Sequence, residues 1–378
     1  MYCADCESVD DYFFESTYFW IFVPTIESFG KLASLCGGLG LISKQETTHC
    51  ISCLVPKDKV KDFMTAMLGA LEGAELAATK VTTTASQSSP TLADMARMTT
   101  LDILINRYKA KWLVDSVESE SYETWFQPIV QAKDALNTPR IFAHEGLFRI
   151  RDEYDTIVPP HLAFQIAEKS DLLFSLDLVA RRSAVESAAK ARLGGKLFIN
   201  FNPSSIYDPA YCLRATAAAV NDIGMKPKDI VFEVTETHRA SDLNHLKGIL
   251  AFYRNAGFQV ALDDIGSGWS GLNLLDSLRP DYVKIDMELV RGIDGDVFKQ
   301  NIVESLIRIA RTSDIRVIAE GVETEAEASW LIGANADFLQ GYYFAKPKPV
   351  DMLSDCKGNK QIEESLTPLK KAAKRLQG

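Results

Sequence analysis

Cysteine is scarce in this chain, with 7 among 378 residues, too few over that length for a disulfide-stapled scaffold and therefore read as reduced thiols. Positive charge is outnumbered as well: 41 Lys and Arg face 51 Asp and Glu, a formal net charge of -10. That balance excludes a general nucleic-acid binder, which must neutralise a phosphate backbone, but admits a small phosphorylated ligand screened by metal ions. No long hydrophobic run exists. The patch Tyr18–Val23 is far too short to span a bilayer, and the acidic stretch Met1–Glu15 has no basic leader region, so a cytoplasmic location is expected. Internal repeats, low-complexity tracts and flavin, haem or phosphoacceptor motifs are also missing. What the chain does have is 19 Phe, 12 Tyr and 5 Trp within a 47% hydrophobic composition, which excludes disorder and suffices for one large core plus a smaller domain.

Residues 17–83 alternate strand-like and helix-like segments. Thr17–Val23 reads as a strand and Thr25–Cys36 as a helix. Gly40–Lys44 and His49–Val55 read as a strand pair, Lys57–Leu71 as a helix and Glu75–Thr83 as a last strand. The order β-α-β-β-α-β predicts a split βαβ, ferredoxin-like sandwich. Two C-x-x-C pairs, Cys3/Cys6 and Cys50/Cys53, fit a zinc or redox site or simply buried thiols. The second pair lies in a predicted strand, where positions i and i+3 point to opposite faces. The Ser-rich stretch Thr84–Pro90 is the clearest linker, and Thr91–Val114 then shows helical periodicity. These features divide the chain into a small α/β domain (1–90), a helical connector (91–121), a large domain (122–350) and a basic tail (351–378). The small domain fits either a sensor or a dimerising appendage, and the tail a solvated helix or a surface-binding segment.

Within the large domain eight apolar runs recur. They are Trp125–Val130, Phe142–Ile150, Lys196–Asn202, Ile230–Glu236, Gln259–Gly266, Tyr282–Glu288, Arg316–Glu323 and Asp337–Phe344. Between them lie amphipathic segments such as Ala184–Leu193, Leu213–Asp222, Ser241–Asn255, Val297–Ala310 and Glu325–Ile332. This alternation predicts a (β/α)8 barrel, with a doubly wound open sheet as the alternative. Barrels carry chemistry where strands end, and these ends are acidic: Glu145, Glu233 and Glu236, Asp263 and Asp264, Asp286, Glu320 and Glu323, with the amide Asn200. A lone acid there is usually a helix cap; acids after many successive strands converge on one mouth and repel unless cations neutralise them. Oxygen ligands without His or Cys suit Mg²⁺, Mn²⁺ or Ca²⁺, and adjacent carboxylates at Asp263-Asp264 can bridge two ions, as phosphodiester hydrolysis uses. Lys284, two residues before Asp286 and so expected on the same strand face, either positions a water or balances the acids. Arg149, four residues after Glu145, either reaches a phosphate or is an exposed charge.

The run of motifs FQPIV at Phe126, HEGLFR at His144, FINFNPSS at Phe198, FEVTET at Phe232, LDDIGSGWSGL at Leu262, DYVKID at Asp281, VIAEGVET at Val317 and LQGYYFAKP at Leu339 resembles the EAL domain, the bacterial cyclic di-GMP phosphodiesterase. The resemblance implies a barrel with one strand antiparallel, hydrolysis of cyclic di-GMP to linear pGpG with two Mg²⁺ or Mn²⁺ ions, and a homodimer formed through the domain. It places Glu145, Asn200, Glu233 and Asp263 on the first metal, and Asp263, Asp264 and Glu320 on the second. Lys284, supported by Asp286, would orient the attacking water. Glu236 would anchor the loop after Asp264, Glu323 would support the site, and Gln127, Arg149 and Gln340 would lie near the dinucleotide. Gly146 stands where the family has Ala; Ile265, Ser267 and Trp269 stand where its loop has Phe, Thr and Tyr. Those loop changes bear on rate and regulation. The other reading kept open is a catalytically silent cyclic di-GMP receptor, although every ligand position here is filled.

Overall fold

The computed structural model describes residues 12–202, 220, 225–235, 243–266 and 271–353. They fall into two compact units, one made of residues up to Ser121 with Ile150–Leu176, the other of Tyr122–Arg149 with the chain from Asp177 on.

In the first unit, β1 (Ser16–Phe22) leads to α1 (Ile26–Gly38), whose start is capped by the Thr25 hydroxyl accepting from Ser28 N at 3.1 Å. Then come β2 (Ile42–Thr47), β3 (Cys50–Pro56), α2 (Val60–Ala70), α3 (Gly73–Ala78) and β4 (Lys80–Thr84). The sheet order β2-β3-β1-β4, antiparallel at every junction, is the split βαβ arrangement expected from the sequence. Two boundaries differ. Gly73–Ala78 is helical rather than strand because Glu72 and Glu75 form a capping box. The predicted long helix over Thr91–Val114 is broken into α4 (Leu92–Ala96), β5 (Thr99–Thr100), α5 (Leu101–Lys109) and α6 (Lys111–Glu118), because Thr99 and Thr100 extend the sheet beside β4. Leu101, Leu104 and Ile105 consequently enter the core beneath the sheet instead of lining a separate connector.

The zinc site at Cys3, Cys6, Cys50 and Cys53 finds no support. Cys53 joins Cys36 in that core, whereas Cys50, three residues back on the same strand, faces the other way, its thiol pushed up to about 11 by burial. Cys3 and Cys6 lie outside the described residues.

The second unit is a closed barrel. Its strands are β6 (Tyr122–Gln131), β7 (Ile141–Arg151), β9 (Lys196–Asn200), β10 (Ile230–Thr235), β11 (Gln259–Ile265), β12 (Tyr282–Ile285), β13 (Arg316–Ala319) and β14 (Phe338–Leu339); β8 (Ile157–Val158) pairs only with the end of β7. Neighbours run β6-β14-β13-β12-β11-β10-β9-β7, and β7 returns to β6 to close the ring. Every ladder from β7 through β14 is parallel, but β14 meets β6 antiparallel. The reversed strand implied by the family resemblance is therefore the first. Outside lie α8 (Leu173–Lys190), α9 (Leu243–Asn255), α10 (Gly271–Leu278), α11 (Met287–Val290), α12 (Val297–Thr312) and α13 (Glu325–Gly333), whereas α7 (Pro160–Lys169) belongs to the first unit. Of the segment Leu213–Asp222 only Val220 is described. Several strands stop earlier than their apolar runs suggest. β12 ends at Ile285 because the Asp286 carboxylate accepts from Glu288 N at 2.7 Å and starts α11.

The barrel interior is filled by one buried residue from each strand: Ile129, Ala143, Phe198, Val231, Ala261, Tyr282, Ile318 and Phe338, with Phe142 stacked on Phe338 at 3.8 Å. This layer is the floor on which the site stands.

Candidate active site

Side chains two positions apart on a strand share a face. Moving two residues from each floor residue toward the open end of the barrel gives Glu145 after Ala143, Asn200 after Phe198, Glu233 after Val231 and Asp263 after Ala261. The same step gives Lys284 after Tyr282, Glu320 after Ile318 and Gln340 after Phe338. On the reversed β6 it runs backward, from Ile129 to Gln127. An apolar layer therefore carries a polar layer directly above it on all eight strands.

Lys284 occupies the centre of that layer and is 1% exposed. Its Nζ stands 2.6 Å from Glu320, 2.7 Å from Glu233, 3.2 Å from Asp263 and 3.7 Å from Glu145. Burial alone would lower its pKa, but the surrounding carboxylates outweigh it and hold the ammonium well above its usual range. Burial pushes Glu233 and Glu320 well up, with Lys284 pulling each back. Gln340 Nε2 donates to Glu145 Oε2 at 2.6 Å, and Gln127 Nε2 to the Ala345 carbonyl at 3.2 Å. Asn200 Nδ2 reaches Glu145 Oε1 at 3.5 Å.

Asp264 follows Asp263 on β11 and would ordinarily point to the opposite face. Its backbone is left-handed, with φ of 57°, and the β11–β12 register shifts between Leu262 and Ile265. This irregularity turns Asp264 toward the mouth, where Asp263, Asp264 and Glu320 each offer an oxygen within 4.8 Å of the others. Burial and then the neighbouring Asp263 push Asp264 up to about 6. The donor set fits a hard divalent cation: it is all oxygen, and Glu233 Oε2 is buried without a hydrogen-bond partner.

A cavity of about 260 Å³ opens above the layer, lined by Gln127, Glu145, Asp264, Asp286, Glu320 and Gln340, with Arg291, Glu323 and Tyr342 among its further walls. Asp286 thus reaches the cavity from the start of α11 rather than from the strand face shared with Lys284. Glu323 stands at the rim, ion-paired with Arg291. Arg149 is not among the lining residues; its guanidinium lies over the Trp125 ring at 5.1 Å and donates to the Phe148 carbonyl at 2.8 Å. Glu236, Ser267 and Trp269 lie outside the described residues, whereas Ile265 is buried in β11. Arg291 and Tyr342 were not singled out in the sequence, since the motif around Lys284 ends at Asp286 and the Tyr in LQGYYF carries no charge pattern.

A (β/α)8-like barrel with one reversed strand and an acid-lined mouth defines a class of barrel proteins. The EAL domain model matches residues 110–347, and the chain belongs to that family. It is 32% identical over 232 residues to a probable cyclic di-GMP phosphodiesterase, PdeG, of Escherichia coli K12, covering 59% of this chain and 44% of that one. It is 27% identical over 252 residues to the cyclic di-GMP phosphodiesterase PdeL of the same organism, covering 66% of each. A standalone versatile EAL protein from Vibrio cholerae O395, solved with cyclic di-GMP bound, shares 38% identity at a TM-score of 0.54, covering 61% of this chain and 93% of that one. The chain spans 28% to 66% of the length of the first curated relatives it matches. No helix among the described residues is long and apolar enough to cross a membrane.

Proposed function

We propose that this protein hydrolyses cyclic di-GMP to linear pGpG. The observation that carries the reading is the complete polar layer, in which four carboxylates from four strands surround one buried lysine beside the Asp263-Asp264-Glu320 oxygen cluster. Two Mg²⁺ or Mn²⁺ ions would supply Lewis-acid activation of water and stabilise charge developing at phosphorus. Glu145, Asn200, Glu233 and Asp263 would hold one ion, and Asp263, Asp264 and Glu320 the other. Lys284 donates toward the attacking water and toward the phosphate oxygens, and its burial keeps that charge unscreened. Gln340 fixes the rotamer of Glu145, and Gln127 lies beside Gln340. Asp286 and Glu323 border the site. In this reading the protein acts as a homodimer through the barrel domain, and the first unit regulates it.

The test is incubation of the purified chain with cyclic di-GMP and Mg²⁺ or Mn²⁺, followed by chromatography for pGpG. Turnover is expected, with Lys284→Ala and Glu145→Ala each losing at least about a hundredfold in kcat while circular dichroism stays native. Binding in both metals without turnover would instead make the protein a cyclic di-GMP receptor. Light scattering with and without ligand checks the dimer.

A further inference from the structure

We infer that Arg291 is a substrate-binding residue that takes the second, non-scissile phosphate of the dinucleotide, an inference that rests on the phosphodiesterase reading above. A cyclic dinucleotide carries two phosphodiesters. The one being cleaved sits over the carboxylate layer, so the other lies elsewhere in the cavity and keeps its charge. The named lining of that cavity includes five acids, Glu145, Asp264, Asp286, Glu320 and Glu323, and one cation, Arg291. Lys284, at the centre of the carboxylate layer and ion-paired with four carboxylates, serves the scissile phosphate in that reading. Arg149, the basic residue that the family resemblance placed near the ligand, lies over the Trp125 ring and is not among the residues lining the cavity.

The presentation of Arg291 is built into the backbone. Its carbonyl accepts from Lys299 Nζ at 2.8 Å and its N–H donates to the Met287 carbonyl at 2.9 Å. The next N–H, of Gly292, donates to Glu327 Oε1 at 2.8 Å. The other oxygen of the same buried Glu327 accepts from the N–H groups of Glu323 at 2.8 Å and Thr324 at 3.0 Å. One carboxylate thereby pins both loops that meet at the rim, after β12 and after β13. What remains free to rearrange is the Arg291–Glu323 side-chain pair, 43% and 38% exposed. An exposed pair of this kind is worth little in solvent, so a phosphate that offers the guanidinium two oxygens displaces Glu323 at small cost.

The experiment compares wild type, Arg291→Ala and Arg291→Lys of the full chain on two substrates, cyclic di-GMP with two phosphodiesters and bis(p-nitrophenyl) phosphate with one. Arg291→Ala is expected to raise KM for cyclic di-GMP by roughly tenfold to a hundredfold relative to its effect on the single-phosphate substrate. The kcat should fall far less than KM rises, and Arg291→Lys should recover part of the loss. Equal KM changes on both substrates, or no change on cyclic di-GMP, would overturn the assignment. If wild type turns over neither substrate, the phosphodiesterase reading fails. Calorimetric titration of cyclic di-GMP with Ca²⁺ present then still judges Arg291, by a weakened or an unchanged Kd in Arg291→Ala.

Discussion

Gly341 shows how closely single residues control the site. It follows Gln340, and a Cβ placed on it would lie 2.1 Å from the Val322 carbonyl oxygen and 2.3 Å from Val322 N. That approach exists because Val322 N donates to the Gln340 carbonyl and Tyr343 N donates to the Val322 carbonyl, both at 3.0 Å. The two bonds align the loop after β13, which carries Glu320 and Glu323, with the end of β14, which carries Gln340. Gly341→Ala must push these backbones apart and is expected to cost about 3 kcal/mol or more, with loss of pGpG formation. Denaturant unfolding reads the first effect, and a variant as stable as wild type would show that the loops do not interlock. Gly146 is the milder case. A Cβ there would stand 3.1 Å from the Ala184 Cβ, so the glycine that departs from the family pattern is matched by close approach of α8 to β7.

At the scale of elements, the barrel and its site share one signal. The floor and the polar layer are separated by a strand period of two, so runs such as Ala143-His144-Glu145 or Tyr282-Val283-Lys284 encode both the fold and the placement of chemistry. That is why the eight strands and the residues around Lys284 were legible in the sequence. Asp286 and Arg149 were read less well because each lies beyond the layer, where a helix cap or an aromatic neighbour decides the side-chain direction. The left-handed turn at Asp264 has no periodic signature at all, and neither has β5, which is fixed by pairing with β4. In the first unit the same lesson applies to α3, whose Glu75 accepts from Glu72 N at 2.9 Å, Ser28 Oγ at 2.7 Å and Lys31 Nζ at 2.9 Å. The Glu72 backbone bond first, then Lys31 and Ser28, depress Glu75 to about 2 from 4.5. Because the folded value is the lower one, its stabilisation is complete above about 4.5 and is lost as pH falls toward 2. The difference in thermal midpoint between wild type and Glu75→Gln should therefore be largest near neutral pH, shrink between pH 4.5 and 2, and fall with added salt. A difference that grows on acidification would refute the role given to Glu75.

For the whole molecule, the chain path matters more than the sequence boundary suggests. The segment Ile150–Leu176, between β7 and the body of α8, belongs to the same unit as the N-terminal sheet. Arg107 of α5 shows what joins them: Nε donates to the Ser170 carbonyl at 3.0 Å, Nη2 pairs with Asp171 at 3.1 Å and Nη1 donates to Tyr12 Oη at 2.9 Å. Arg107 is 7% exposed, so its bonds to Ser170 and Tyr12 are shielded from water. Asking whether the first unit regulates turnover invites deletion of everything before Tyr122, yet that deletion strips α7 of its partners and leaves the Ser170 carbonyl without its donor. The truncated chain is expected to melt lower than the full chain and to bind a hydrophobic dye, so altered turnover in it would mix regulation with local unfolding. Arg107→Ala in the full chain isolates the structural part. It removes the donor to a buried carbonyl and should cost about 1–3 kcal/mol, without touching the carboxylate layer. If Arg107→Ala changes stability but leaves pGpG formation at wild-type rate, while truncation changes the rate, the first unit regulates through something other than this anchor. If truncation leaves the thermal midpoint and its cooperativity unchanged, Ile150–Leu176 does not depend on the N-terminal sheet.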